Sequence, residues 1–411
     1  MSALLLTVAW CRQHELPAPL AVTVDHSLRK ESRAEAQRVA GWMRKLGVAH
    51  RTLTMNWAAR KPEGNVQAAA REMRYALLGH WTRAEGIKSL ITGHTLDDQA
   101  ETFLIRLARG SGLDGLSAMA PASSFPWPMF KDIALLRPLL PFSHARLVAT
   151  LRAAKQAWIE DPSNDSTRFT RSKLRAARGV LEEAGLTSER LADTAAHLRR
   201  AREAIDVAVE ALLSQSVAVN AWGFASLQLT LFGDAPAEVA TRALARVVST
   251  VGGEPYAPRF EALEAVRAWL GSGSPEPKGR TLGGCRLTRR GDGTVLVARE
   301  TAAIGPDVDL GPGETALWDG RFRVALASAA PHSAIVKALG REGLSVAGPD
   351  AKLPPVEPHL IAATSPALWT GGHLIAAPFV RYFASDAAAF GFSATFLGLA
   401  KGKEAAKGNS L

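Results

Sequence analysis

Over the first 185 residues, short apolar runs alternate with longer stretches whose apolar positions recur every three or four places. Leu20 to Val24 (ending at Asp25), His50 to Thr54 and Ser89 to Thr92 are short, rich in β-branched residues, and read as strands. Ser2 to about His14 reads as a helix, and Glu31 to Leu46 and Asn65 to Glu85 carry helical periodicity with charged faces. Such alternation predicts an α/β domain, residues 1–185, built on a parallel sheet. Open parallel sheets collect ligands outside the carboxyl ends of their strands. Polar clusters stand there: Asp25-His26 after one strand, Gly93-His94 after another.

The pattern then changes. From Thr187, TSERLADTAAHLRRAREAIDVAVEALLSQSV reads as one long helix that Thr187 or Ser188 can cap, and about Ala237 to Thr250 and Arg259 to Leu270 continue the helical periodicity. Residues 186–272 are therefore expected to form an all-helical domain. Gly271 to Gly279 (GSGSPEPKG) marks a boundary. Beyond it, CRLTRR and TVLVARE flank Gly291-Asp292-Gly293 as a hairpin would, and FRVALA and HLIAAP extend a small β-rich domain over 280–400. Residues 401–411 read as a basic tail.

A chain of 411 residues has room for two or three cores, and 47% hydrophobic with 21% charged residues excludes a wholly disordered protein. Lysine plus arginine exceeds aspartate plus glutamate by 49 − 39 = 10. That excess attracts polyanions, nucleic acid being the commonest, although a basic solvated surface without a partner has the same composition. Cys11 and Cys285 are too few for a disulfide framework or a thiolate zinc site, which fits a reducing cytoplasm. Apolar runs fall short of the ~20 residues that span a bilayer, so no membrane association is expected.

Four polar constellations carry candidate chemistry. In Gly93-His94-Thr95-Leu96-Asp97-Asp98-Gln99-Ala100-Glu101-Thr102, a strand gives way to a helix on which His94 and Asp98, and Asp97 and Glu101, are four residues apart and share a face. Such carboxylates either cap the helix or hold Mg²⁺ against nucleotide phosphates, and the residues by themselves leave both open. Asp25, His26 and Arg29 close a strand end and read either as turn chemistry or as nucleotide contacts. Arg71, Arg74 and Tyr75 cluster within one helical turn, as a solvated basic face or as a phosphate grip. Asp161-Pro162-Ser163-Asn164-Asp165, followed by Phe169, Arg171 and Arg175, reads as a linker or as a strap carrying phosphate and base contacts. Arg199, Arg200 and Arg202 add positive charge to the long helix.

In this order and at these spacings, VDHSLR, GNVQAAAREMRY, GHTLDDQAET and DPSNDSTRFTRSKLR resemble the four signature blocks of the tRNA(Ile)-lysidine synthetase family. GHTLDDQAETFLIRLARGSGLDGLSAMAP and LLRPLL deepen the likeness, which is strong from Ala21 to about Arg178 and looser beyond. The resemblance implies a Rossmann-like parallel sheet of the adenine nucleotide alpha-hydrolase type, followed by a helical domain and a small β-rich C-terminal domain. It implies a ligase using ATP, Mg²⁺, free L-lysine and the isoleucine tRNA whose anticodon is CAU. The wobble cytidine's C2 oxygen would attack the α-phosphate of ATP, pyrophosphate would leave, and the lysine side-chain amine would then displace AMP at C2.

On that resemblance Asp98, supported by Asp97, takes the metal. Asp25, His26 and Arg29 contact nucleotide, and Arg71, Arg74 and His94 place phosphate or lysine. Phe169, Arg171, Arg175, Arg199, Arg200 and Arg202 face tRNA, with Glu101 or Asp114 as candidates for lysine's α-amine. The family also carries an SGGxDS loop whose amides cradle pyrophosphate. Met1 falls just after that block, so its strand and loop are expected upstream of Met1. Two rival readings stay open: a tRNA-binding remnant without catalysis, and a cytidine 2-thiolation enzyme, disfavoured because the cysteine pairs it needs are missing. A homodimer is compatible with the sequence.

Overall fold

The computed structural model describes residues 1–27, 31–57, 66–127, 130–159, 170–254, 256–272 and 279–399. The chain divides into two compact units, Met1–Glu203 and Ala204–Gly402.

The first unit runs α1 (Ser2–Gln13), β1 (Ala21–Asp25), α2 (Ser32–Leu46), β2 (His50–Thr54), α3 (Val66–Ala84), β3 (Ser89–Ile91), α4 (Leu96–Ala108), α5 (Leu113–Leu116), β4 (Ala122–Ser124), β5 (Ala134–Leu136), α6 (His144–Ala153), α7 (Thr170–Ala176), α8 (Arg178–Glu183) and the first part of α9 (Ser188–Ser216), whose residues from Ala204 onward belong to the second unit. Strands β1 and β2 pair in parallel, with Ala21 opposite His50 and Asp25 opposite Thr54. A second ladder pairs β3 with β5 in parallel and β5 with β4 antiparallel. Among the described residues these ladders are separate sheets. One core serves both, since Val22, Val24 and Leu53 pack against the cluster of Tyr75, Leu78, Leu90, Leu135 and Phe130. Gly79 makes room for that cluster: a Cβ there would lie 2.3 Å from the ring of Phe130.

Strands β4 and β5 escape sequence reading because three residues are too short to display a period. They form because Leu135, at the centre of β5, is buried between two partners. The start of α9 behaves as the sequence suggests, with the Thr187 hydroxyl accepting from the Arg190 amide at 3.3 Å.

In the second unit the segment expected to be all-helical contains two strands. β6 (Val217–Val219) and β7 (Ala225–Gln228) precede α10 (Leu229–Asp234), α11 (Ala237–Gly252) and α12 (Phe260–Gly271). They join β8 (Arg280–Leu282), β9 (Cys285–Arg289) and β10 (Thr294–Arg299) in an antiparallel sheet of order β6-β7-β10-β9-β8. Pairing of β7 with β10 and of β6 with β7 decides these short strands, whose side chains reach the same core as α11: Leu227, Leu244, Val247, Val251, Leu287 and Val295.

The rest of the unit holds a five-stranded antiparallel sheet of Val308–Leu310, Ala334–Ala338, Pro366–Thr370, His373–Ala377 and Tyr382–Phe383. A three-stranded sheet of Thr315–Trp318, Phe322–Ala325 and Ser393–Phe396 shares its core through Trp318, Phe322, Val336 and Leu368. Asp319 and Gly320 turn the hairpin between the first two of those three strands with φ of 48° and 63°, the sign pattern of a type I′ turn. Gly320 is required there, because a Cβ would lie 2.0 Å from the Gly253 carbonyl oxygen. No described helix is long and apolar enough to cross a membrane.

Candidate functional site

At the carboxyl end of β3 the chain turns through Thr92 to Thr95 into α4. Thr95 is extended and caps the helix, and a capping box forms: Asp98 Oδ2 accepts from the Thr95 amide at 2.8 Å and from its hydroxyl at 2.9 Å. Asp98 Oδ1 accepts no hydrogen bond among the described residues. Both oxygens of Asp97 are engaged. Oδ2 accepts from the His144 amide at the start of α6 at 2.7 Å, and Oδ1 from Arg178 Nη1 of α8 at 2.6 Å. Asp97 thus ties three helix starts together, while Asp98 has one oxygen without a hydrogen bond among the described residues.

One turn on, the buried carboxylate of Glu101 accepts from Arg175 Nε of α7 at 2.5 Å. That hydrogen bond raises the Arg175 pKa, with the nearby charges of Asp98 and Asp97 adding to it. Arg178 is raised too, chiefly by its bond to Glu182. Three carboxylates therefore face two guanidinium groups that are 41% and 50% exposed, leaving a net negative corner open to solvent. His94 Nδ1 pairs with the Thr92 hydroxyl at 2.9 Å.

A second cluster stands at the end of β1. Asp25 is buried and its Oδ1 accepts from the Ser27 amide at 2.9 Å and the Ser32 hydroxyl at 2.6 Å, so this carboxylate shapes its own turn. Ser27 sits in the left-handed region at φ 51°. The His26 carbonyl accepts from Trp57 Nε1 at 2.8 Å, and its Nε2 meets Arg74 Nη2 at 2.9 Å. Arg71 stacks over Tyr75, 5.1 Å from the ring centre. No hydrogen bond among the described residues joins this cluster to the α4 carboxylates.

Arg29 and Phe169 lie outside the described residues, as does the side chain of Arg171 in α7. On α9, Arg199 donates to the Met119 carbonyl at 3.4 Å, Arg202 pairs with Asp114 at 2.9 Å, and Arg200 is exposed. Of the two carboxylates considered for an ammonium group, Glu101 is thus held by Arg175 and Asp114 by Arg202. Sequence reasoning passed over Arg106, Arg137 and Arg178. Burial, with Arg202 and Arg71 nearby, lowers the Arg106 pKa, and burial lowers that of Arg137. Their signal was present in the runs FLIRLARGSG and LLRPLL, but nothing in either run says which arginine is drawn inward.

For a metal, the donor set is small: no group of three or more histidine, cysteine or acidic side chains among the described residues could enclose an ion. One open carboxylate oxygen on Asp98 fits Mg²⁺, which takes one or two carboxylates and completes its shell with phosphate oxygens and water.

A family model described as a PP-loop domain matches residues 1–181. Along the chain, 360 residues are 38% identical to the tRNA(Ile)-lysidine synthase of Ruegeria pomeroyi, covering 87% of this chain and 80% of that protein. The chain belongs to the tRNA(Ile)-lysidine synthase family. Members from Wolbachia pipientis wMel (33% over 342 residues, 83% of this chain and 75% of that one) and from Bradyrhizobium sp. strain BTAi1 (43% over 248 residues, 58% and 67%) align as well. The fold is accordingly that of a PP-loop domain with its parallel strands, followed by a helical region and a β-rich C-terminal part. Within this lysidine synthase frame, the PP-loop match contains α1 to α7 and Arg178 of α8, hence Asp97, Asp98, Glu101, Arg175 and Arg178 of the one strand-end cluster and Asp25, His26, Arg71 and Arg74 of the other.

Proposed function

We propose that this chain is a ligase that attaches lysine to C2 of the anticodon wobble cytidine of the isoleucine tRNA with a CAU anticodon, at the expense of ATP. The observation that carries the reading is the first turn of α4, at the carboxyl end of a parallel strand in a chain of this family: Asp98 caps the helix with one oxygen and leaves the other open. Mg²⁺ bound at Asp98 would neutralise charge on the nucleotide phosphates.

The cytidine C2 oxygen attacks the α-phosphate and pyrophosphate departs, which turns a poor leaving group into AMP. The lysine side-chain amine then forms the new C–N bond and AMP leaves with the oxygen. In this reading His26, Arg74 and Arg71 contact the nucleotide or its phosphates, and His94 with the Glu101–Arg175 pair lines the place of lysine. Asp25 supports them by fixing the turn that carries His26. Basic side chains of α7 and α9 face the tRNA, because phosphate contacts position a nucleic acid while unstacked loop bases specify it.

The test is ATP-dependent transfer of labelled lysine to an isoleucine tRNA transcript with a CAU anticodon, with methionine tRNA as control. It is run on this chain and on a form with a strand and SGGxDS loop placed ahead of Met1. Label in isoleucine tRNA only, with AMP and pyrophosphate released, is the expected result. Salt-sensitive tRNA binding with no lysine transfer by either form would replace this reading with a binding role.

A further inference from the structure

Three arginines from three elements grip one short segment between α5 and β4. Arg106, in the last turn of α4, donates Nη1 to the carbonyls of Gly115 at 2.8 Å and Ala118 at 3.2 Å. Arg199 of α9 donates Nη1 to the Met119 carbonyl at 3.4 Å. Arg137, just after β5, donates Nη1 to the Ala120 carbonyl at 2.9 Å and to the Ser123 hydroxyl at 3.1 Å. Gln99 locks the middle of the segment, donating to the Met119 carbonyl and accepting from the Met119 amide.

Each arginine thereby commits Nη1 to the backbone, and the guanidinium planes are held in place by it. The other donors of Arg106 have no hydrogen-bond partner among the described residues, and neither does the buried Nε of Arg137. A guanidinium carries five donors, so this arrangement leaves charge-assisted donors pre-oriented and unspent. Two further cations, Arg71 and Arg202, are near enough to Arg106 to disfavour its charged form. The carboxylates at hand are few: Asp114 pairs with Arg202, and Glu203 stands 3.9 Å from Arg199. Like charges gathered on partly desolvated ground are relieved by an anion that meets several of them at once.

We propose that Arg106, Arg137 and Arg199 form a seat for backbone phosphates of a nucleic acid strand. The proposal rests on the preceding reading that the substrate is a tRNA. On that same reading, nucleotide phosphates meet Asp98 in the first turn of α4. Arg106 lies eight residues further along, roughly 12 Å down the helix axis, too far to share a single metal-bound triphosphate oxygen. The seat therefore serves the polynucleotide.

The full chain is titrated with the tRNA transcript over a range of salt, beside ATP binding and thermal unfolding measurements. Arg106→Gln with Arg137→Gln is expected to weaken tRNA binding about tenfold or more at low salt and to lower the slope of log affinity against log salt by about 1.5 to 2. Lysine at both positions restores most of the slope, and ATP affinity stays as in the parent. An unchanged slope would overturn the seat and leave the arginines as staples of the 115–123 segment. Lost ATP affinity with tRNA binding intact would overturn it in favour of a nucleotide site. Should the double variant unfold, Arg199→Gln decides: its bond to the segment is the 3.4 Å contact with the Met119 carbonyl, which Gln99 also holds, so the slope falls by about one or the seat is rejected. A parent chain that binds no tRNA at all sinks the substrate reading as well, whereas parent and variants binding alike sinks the seat only.

Discussion

The two compact units both use arginine–carboxylate pairs, and they use them for opposite ends. In the first unit Asp97 and Glu101 meet Arg178 and Arg175 at a strand end where the guanidinium groups stay about half exposed. In the second, Asp319 accepts from Arg299 Nη2 at 2.7 Å and from the Gly305 amide at 2.8 Å on one oxygen. Its other oxygen accepts from Arg321 Nε at 2.7 Å and Nη2 at 2.6 Å. All three of these side chains are at most 4% exposed. Arg321 reaches onward to the Gly223 and Thr364 carbonyls, so Asp319 is the hub joining the Asp319-Gly320 hairpin to the strands and helices around it. An ion pair that water can reach can be exchanged for a ligand, but a buried one can only hold the fold.

Breaking each pair should separate these roles. The largest effect is expected from Asp319→Ala, which strands two buried guanidinium groups. It should destabilise the second unit by about 3–5 kcal/mol, measured as a lowered denaturant midpoint. A loss under about 1 kcal/mol would mean that water reaches the hub. Next is Asp98→Asn, whose amide oxygen can still accept the Thr95 cap bond while the open carboxylate oxygen is replaced by an uncharged NH2 donor. Lysine transfer should fall by roughly a hundredfold or more, with tRNA affinity and unfolding midpoint near the parent's. If stability falls and turnover does not, Asp98 is a cap alone. Thr95→Ala sharpens the same point from the other side: loss of the cap should cost about 1 kcal/mol, read by thermal unfolding.

The smallest effect concerns a surface pair in the second unit. Hydrogen bonds from Arg267 and Thr241 hold the Glu264 carboxyl down to about 2. Because its folded pKa is depressed, its contribution is complete above the ordinary carboxylate value near 4.5 and disappears as pH falls toward 2. Glu264→Gln should therefore lower the unfolding midpoint slightly at pH 6 and leave it unchanged near pH 2. Equal effects at both pH values would show that the charge contributes nothing.

Several features were legible before any fold was known. The alternation of LAVTV, HRTLT and SLIT with amphipathic helices states an α/β domain, and the paired carboxylates Asp97 and Asp98 mark the first turn of α4. The four motif blocks bring the same residues forward as candidates. Less legible was the division of labour within a block. Asp97 and Asp98 are adjacent and chemically identical, yet one is consumed by an amide and a guanidinium from distant segments while the other keeps an oxygen. Strands β6 and β7 were hidden within a segment of helical composition, because among the described residues β6 pairs only with β7 and the partner of β7, β10, lies nearly seventy residues further along. Likewise Asp319-Gly320 has the composition of an exposed hairpin tip, and its burial depends on Gly253 and Arg299, which no local pattern connects to it.

The amino-acid sequence by itself determined the period of each long element, its caps, the family blocks and an excess of positive charge, since all of these depend on residues within a turn or two of one another. Tertiary structure alone decided which charges are spent on the protein and which remain for a ligand. That distinction is a matter of solvent access and of hydrogen-bond donors arriving from far along the chain. Arg106, Arg178 and Arg321 are the same residue type, and only their surroundings make one a candidate phosphate seat, one a strap and one a buried tie.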